Sequence, residues 1–304
     1  MKPVLLVFLT LSLVAYASLI NHDHGLVLRR DHSQLAQLSR RANASKRCKP
    51  KPAAAPSPSP SPSPAPHKQP APAPPPPSSN NNGILTVHSN ICGPSGATKE
   101  PSATSGPNGS EDWLNCGITG GGWTPPLIRI DQVIAMDLDQ AIGTPGSPFQ
   151  KCSPFIGLFK QYAWQHGIPP IMIASFALQE SSCNPDTVGG AGEQGLMQLT
   201  KDKCGDAPGG NCKDPDFNIR TGAKFFADTL ASNGGNVLLS IGQYNGWTPG
   251  LTYGAGTAAG YGSCCRCQNN MDYLQQFMNG WLQNKNVYGG WPRIGKYFNL
   301  DICI

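Results

Sequence analysis

The first residue in this chain able to do acid–base chemistry in an unusual setting is Glu180. It ends the run Pro170–Glu180, PIMIASFALQE. At the three-, four- and seven-residue spacings it shares a helical face with Ala177, Phe176 and Ile173. Pro170 suits the first helical position, where a missing N–H costs nothing. Ile171–Leu178 is apolar except for Ser175, so the helix is expected to be buried, and Pro185 stops any continuation. Burial disfavours an ionised carboxylate and raises its pKa, the condition of a general acid. The plainer reading is a helix-end Glu bonded to nearby backbone.

Other chemistries are poorly equipped. Between Gly83 and Ile304 the histidines are His88 and His166, and His166 precedes a helix-ending Gly167, a capping position. There is no Gly-x-Ser-x-Gly elbow, phosphate loop or His-Glu-x-x-His. One acid among apolar, amide and aromatic side chains suits cleavage of a glycan, by hydrolysis or by a lyase-like route.

The elements that must position this acid read as helices. Leu127–Ile142 (Ile130, Val133, Ile134, Leu138, Ile142), Cys152–His166 (Phe155, Leu158, Phe159, Tyr162) and Asp216–Leu230 (Ile219, Ala223, Phe226, Leu230) carry a 3.6 period. Asn236–Tyr244 is short and apolar, Gly250–Gly262 is a glycine-rich loop, and Asn269–Leu282 is an amphipathic helix. The fold class is all-α and disulfide-stabilised, with an irregular N-terminal extension.

Composition sets the outer organisation. Residues 1–17 have the form of a secretory signal: Lys2, an apolar run from Val4 to Val14, then Ala15-Tyr16-Ala17. That run is short for a membrane span. Residues 18–48 form a basic pro-like segment with dibasic pairs at Arg29-Arg30, Arg40-Arg41 and Lys46-Arg47; a disordered basic arm fits equally. Residues 49–82 form a Pro/Ser/Ala-rich linker of extended character. Residues 83–126 are a Cys-containing extension opening on a β-like run, Ile84–Val87, with Trp113 and Trp123 expected to pack. Residues 127–304 form the catalytic domain. The expected product is secreted, extracellular, monomeric and free of membrane after signal cleavage.

Of 11 cysteines, ten lie from Cys92 to Cys303, and an oxidising compartment makes five disulfides the natural expectation. Their connectivity is unreadable, although Cys204 and Cys212 make a plausible local pair. Cys264-Cys265-Arg266-Cys267 lacks a nearby histidine and is not read as a metal site; neither metal nor cofactor is expected. The chain's net charge is +5, but residues 83–304 hold 13 Lys and Arg against 16 Asp and Glu, or −3. A basic nucleic-acid stripe is therefore not expected. Asn43-Ala44-Ser45 and Asn108-Gly109-Ser110 are glycosylation sequons, usable only if exposed.

Several residues occur together in a telling order: Glu180-Ser181 with Pro185, Gly195-Leu196-Met197-Gln198, Asn218 with Gly222, and Tyr244-Asn245. This set resembles the soluble lytic transglycosylase (SLT) domain, a goose-type-lysozyme-like family with an α-rich fold, over about residues 152–285. The resemblance implies that Glu180 is the sole acid/base. It would cut the β-1,4 bond between N-acetylmuramic acid and N-acetylglucosamine in peptidoglycan, leaving 1,6-anhydro ends. It also implies that Met197, Gln198, Tyr244 and Asn245 line the sugar cleft. Two positions depart from the pattern. Gly189 stands where serine is common, and Glu193 where a small residue is expected. Glu193 either joins the cleft as a second carboxylate or is a solvated loop residue. A hydrolytic muramidase (lysozyme), a chitinase on the same fold, or a non-catalytic wall-binding protein are the alternatives.

Overall fold

The computed structural model describes residues 83–303. The signal-like segment, the pro-like segment, the linker and Asn43 lie outside the described residues. Two small antiparallel hairpins open the described residues, pairing β1 (His88–Ser89) with β2 (Gly93–Pro94) and β3 (Ser105–Gly106) with β4 (Gly109–Ser110). The β-like run at Ile84–Val87 therefore lies just before the first strand. Helices follow: α1 (Glu111–Leu114), α2 (Leu138–Gly143), α3 (Ile156–Gln165), α4 (Pro170–Ser181), α5 (Pro215–Ser232), α6 (Val237–Tyr244), α7 (Tyr253–Thr257) and α8 (Tyr273–Gln275). The last runs on through a π-turn, Gln276–Gly280, and a 3₁₀ turn, Trp281–Gln283. The helix-rich architecture with an irregular extension is as the sequence predicts.

The core is built around α4. Ile171 to Leu178 are all buried, and the one polar residue, Ser175, returns its hydroxyl proton to Ile171 O at 2.7 Å. The Phe176 ring meets Phe226 of α5, Tyr244 of α6 and Phe277 beyond α8, with centroids 4.9, 4.2 and 4.6 Å away. One side chain thus joins four helical elements. Helix α3 packs against both α4 and α5. The α4 helix ends as Ser182 turns left-handed (φ 54°), and Cys152–Cys183 ties this end to the turn before α3.

Three expectations need correction. Leu127–Ile142 is helical only from Leu138, apart from a single 3₁₀ turn at Ile130–Gln132. Its backbone donors bond to neighbours instead: Ile134 N–H to Asn108 Oδ1 at 2.8 Å, Met136 N–H to Leu282 O at 2.9 Å. Its apolar residues belong to an extended strap, whose period mimics a helix. The Gly250–Gly262 loop contains α7 and a 3₁₀ turn at Ala258–Tyr261. Finally, the Asn269–Leu282 segment is buried all round. Its polar face meets the N-terminal extension rather than water. Asn279 Nδ2 donates to Gly109 O at 2.8 Å, Gln275 Nε2 to Ala103 O at 3.1 Å, and Asn108 Nδ2 to Met278 O at 2.7 Å. Gly106 permits this approach, since a Cβ there would sit 2.6 Å from the Asn279 amide.

The same contacts settle three smaller points. Asn108 is fully buried, so this sequon offers no acceptor in the folded protein. Trp113 and Trp123 pack in the core, with their indole N–H groups on Gly93 O and Leu114 O at 3.0 and 3.1 Å. The ten cysteines form five disulfides: 92–116, 152–183, 204–212, 264–267 and 265–303. No helix among the described residues is long and apolar enough to cross a membrane.

Candidate active site

Glu180 sits at the penultimate position of α4, half-buried, on the wall of a cavity of about 760 Å³. Burial pushes its pKa up to about 7, with the Glu193 carboxylate adding to the rise. The opposing influence is the Tyr273 hydroxyl, which donates to Glu180 Oε1 at 2.7 Å. With one oxygen accepting this bond, the acid's own proton belongs on Oε2, the oxygen left to meet a substrate. Tyr273 is buried, and its own pKa is driven well up by burial and by the Glu180 charge, so it remains a donor.

The ordered motif residues act mainly as a clamp. The Ser181 hydroxyl lies 2.9 Å from Ala177 O and 2.8 Å from Leu196 O, joining the end of α4 to the following loop. Asn218, fully buried in α5, accepts from Met197 N at 2.7 Å and donates to Gln194 O and Cys212 O at 2.9 and 2.8 Å. Gly195 has φ +77°, and any Cβ there would come 2.4 Å from the Asn218 amide. At Gly222 a Cβ would come 2.6 Å from the Met197 sulfur. Glycine is required at both places for α5 and the loop to close up.

Each expected cleft residue has a definite place. Met197 is fully buried, so its side chain packs the core instead of lining the cavity. Tyr244 donates to Met197 O at 2.9 Å and stacks on Phe176; burial and the nearby Glu180 charge raise its pKa well up. The donor at the acid is thus Tyr273, which lies outside the ordered motif set. Gln198 turns left-handed (φ 46°) and donates to Gly195 O at 2.9 Å and Thr187 O at 3.2 Å. Asn245 does line the cavity, and its Oδ1 accepts from Asn270 N at 3.1 Å, tying the end of α6 to the approach to Tyr273.

The two departures are coupled. A Cβ at Gly189 would lie 2.3 Å from Glu193 Oε2 and 2.7 Å from Gln198 Oε1. The Glu193 carboxylate thus fills the space a residue-189 side chain would need, and Ala191 N–H holds it at 3.1 Å.

Sequence reasoning missed most of the opposite wall: Asn270, Tyr273, Gln276, Tyr288, Arg266 and Arg293. Gln276 Oε1 receives Asn270 Nδ2 at 2.8 Å and Gln179 Nε2 at 3.2 Å, while Tyr288 donates to Gln179 O at 3.0 Å. The available signal was Tyr273 itself, a hydroxyl in a segment otherwise read as packing. No group of His, Cys, Asp and Glu among the described residues could hold a metal ion.

Comparison with known proteins agrees with the ordered motif set. Residues 157–250 match the family model described as Transglycosylase SLT domain. A transglycosylase of Enterobacteria phage PRD1 is 34% identical over 93 residues, 31% of this chain and 35% of that protein. Among solved structures, the lytic transglycosylase Slt of Pseudomonas aeruginosa shares 22% identity over 42% of this chain and 22% of its own, with a TM-score of 0.29. The 70 kDa soluble lytic transglycosylase of Escherichia coli shares 23% identity over 42% and 22%, also with a TM-score of 0.29. The chain thus spans about a third or less of each relative's length. Residues 157–250, the stretch that matches the Transglycosylase SLT domain model, carry Glu180 and its clamp.

Proposed function

We propose that the protein is a secreted lytic transglycosylase acting on peptidoglycan, with Glu180 as its single acid/base. The observation carrying this reading is the half-buried Glu180 carboxyl, raised to about 7 and held through one oxygen by Tyr273, on the wall of a cavity large enough for sugar units. An acid with this pKa is protonated in weakly acidic to neutral water and can give its proton to the glycosidic oxygen as that bond breaks. The substrate's own N-acetyl carbonyl supports the cationic centre. The resulting carboxylate, stabilised by Tyr273, takes the C6 hydroxyl proton as the 1,6-anhydro ring closes. The proton count returns to its start, so a second carboxylate is not needed.

One observation favours a second reading. Glu193 places another carboxylate close enough to raise the Glu180 pKa, in space emptied by Gly189. If it activated water, the product would be a hydrolysed, reducing end. Mass analysis of digested peptidoglycan separates the two, because an anhydro end lacks one water. The expected outcome is anhydro ends from the wild type and from Glu193→Gln, and no product from Glu180→Gln. Reducing ends that vanish in Glu193→Gln would establish the hydrolase instead. Parallel digestion of chitin tests the neutral substrate. Wall binding without any turnover would mark a non-catalytic binder.

A further inference from the structure

Two arginines, Arg266 and Arg293, line the cavity that holds Glu180. Their charges are in different states. Arg293 forms a two-pronged pair with Asp301, at 2.5 and 2.6 Å, and its guanidinium lies 3.9 Å over the Phe298 ring. Arg266 takes part in none of the ion pairs among the described residues. It donates to a neutral acceptor, Cys303 O, at 3.1 Å. The other anion on the wall, Asp272, is satisfied elsewhere. It accepts from the backbone N–H groups of Lys296, Tyr297 and Phe298 at 2.9, 2.8 and 2.7 Å. Arg266 therefore brings a cation without a protein counter-ion to the cavity wall.

The backbone that carries it is held by disulfides on both sides. Arg266 is the middle residue of a single 3₁₀ turn, Cys265–Cys267. Cys264–Cys267 closes that turn, and Cys265–Cys303 fixes it to the C-terminal segment. The Cys-Cys-Arg-Cys run, with all three cysteines in disulfides, thus fixes the backbone that carries Arg266, while the exposed guanidinium rests on the single bond to Cys303 O. The fork of a guanidinium matches a carboxylate. Chitin offers no such group. Peptidoglycan does, on its stem peptides, and on the lactyl group wherever the peptide has been removed.

We infer that Arg266 is a specificity residue that receives a substrate carboxylate and selects peptidoglycan strands over neutral N-acetylglucosamine polymers. This rests on the reading that Glu180 cleaves a glycan in the same cavity. The test measures binding separately from turnover, in a Glu180→Gln background with and without Arg266→Ala. The probes are soluble peptidoglycan strands bearing stem peptides, the same strands after amidase treatment, and the hexamer of N-acetylglucosamine. At low ionic strength Arg266→Ala is expected to weaken binding of carboxylated strands by roughly five- to tenfold, an effect that shrinks with added salt. The neutral hexamer should bind unchanged. Loss confined to peptide-bearing strands assigns the stem-peptide carboxylate, loss confined to treated strands assigns the lactyl one, and loss on both shows that Arg266 receives either. Arg266→Lys should recover part of the affinity, and this variant carries the test if the alanine variant does not fold. Unchanged binding of carboxylated strands, or an equal loss on the hexamer, overturns the inference. Failure of the wild type to cleave any glycan, with charge-selective binding intact, overturns the catalytic reading instead.

Discussion

Replacing Tyr273 by phenylalanine removes one hydroxyl and little else, because the buried ring keeps its stack with Phe277 at 6.3 Å. What is lost is the 2.7 Å bond to Glu180 Oε1. A hydrogen bond to a charged group is worth about 1.5–3 kcal/mol, and about 1.4 kcal/mol corresponds to one pKa unit. The bond favours the ionised carboxylate, so its loss raises the Glu180 pKa above about 7. Water entering the vacated space recovers part of this, which leaves an upward shift of about one unit. Two effects on catalysis follow. The alkaline limb of the pH–rate profile, set by loss of the acid's proton, moves up by about one unit. At the optimum kcat falls about tenfold, because the carboxylate formed after proton donation is less stabilised. The assay is release of soluble fragments from peptidoglycan between pH 4 and 9, paired with a carboxyl NMR titration of Glu180. Tyr244→Phe is the control: its hydroxyl serves Met197 O, so that limb should stay near its wild-type position. A limb that stays put or moves down in Tyr273→Phe would refute the assignment of Tyr273 to the acid.

Two further predictions concern positions away from the reacting bond. Glu111 is fully buried, neither oxygen has a regular hydrogen-bond partner, and burial followed by the adjacent Asp272 raises its pKa to about 10. A folded-state pKa above the ordinary 4.5 means the native protein keeps a proton the unfolded chain releases, so stability falls as pH rises between those values. Glu111→Gln removes that proton, and its unfolding free energy should decline less between pH 6 and 9, by up to about 1.4 kcal/mol per pH unit; the same pH dependence in urea unfolding of both proteins would disprove it. At the coupled departure, Gly189→Ser should lower the melting temperature slightly while Glu193 is present, since the new Cβ displaces the end of that side chain from Ala191 N–H. Adding Glu193→Ala should remove most of that cost, and a strictly additive double mutant in thermal melting would remove the claim of shared space.

The sequence made α4 legible because an apolar run interrupted only by Ser175, between two prolines, allows few alternatives. It made Glu180 legible for the same reason, as the acid at the end of that run. The clamp was legible only as an ordered set of residue types. Its physics emerges in three dimensions, where Asn218 holds Met197 and two glycines let the backbones meet. The failures share a cause. Periodicity reports which side chains are apolar, not what covers the polar ones. Gln275, Gln276 and Asn279 read as a wet helix face, yet they bond to other parts of the chain more than a hundred residues or one loop away. In the strap before α2 the apolar spacing was real, but its backbone donors had partners outside any helix. Tyr244 and Tyr273 could not be ranked from sequence, since both are tyrosines near buried aromatic residues.

The division of labour along the chain follows from this geometry. The segment 157–250 contributes Glu180, Gln179 and Asn245 to the cavity, and the rest of its wall comes from residues 266–303. The hydroxyl that holds the acid belongs to that later part, and so do both arginines. The later part depends in turn on the extension before the SLT segment. Gly106, Asn108 and Gly109 cover α8 and its continuation, and Glu111 lies against Asp272, the residue next to Tyr273. Asp272 gathers the backbone of residues 296–298, while the Cys265–Cys303 bond closes the end. The matched segment therefore supplies the acid and the means to fix its loop, while its flanks set the acid's hydrogen bond and bring both arginines to the opposite wall.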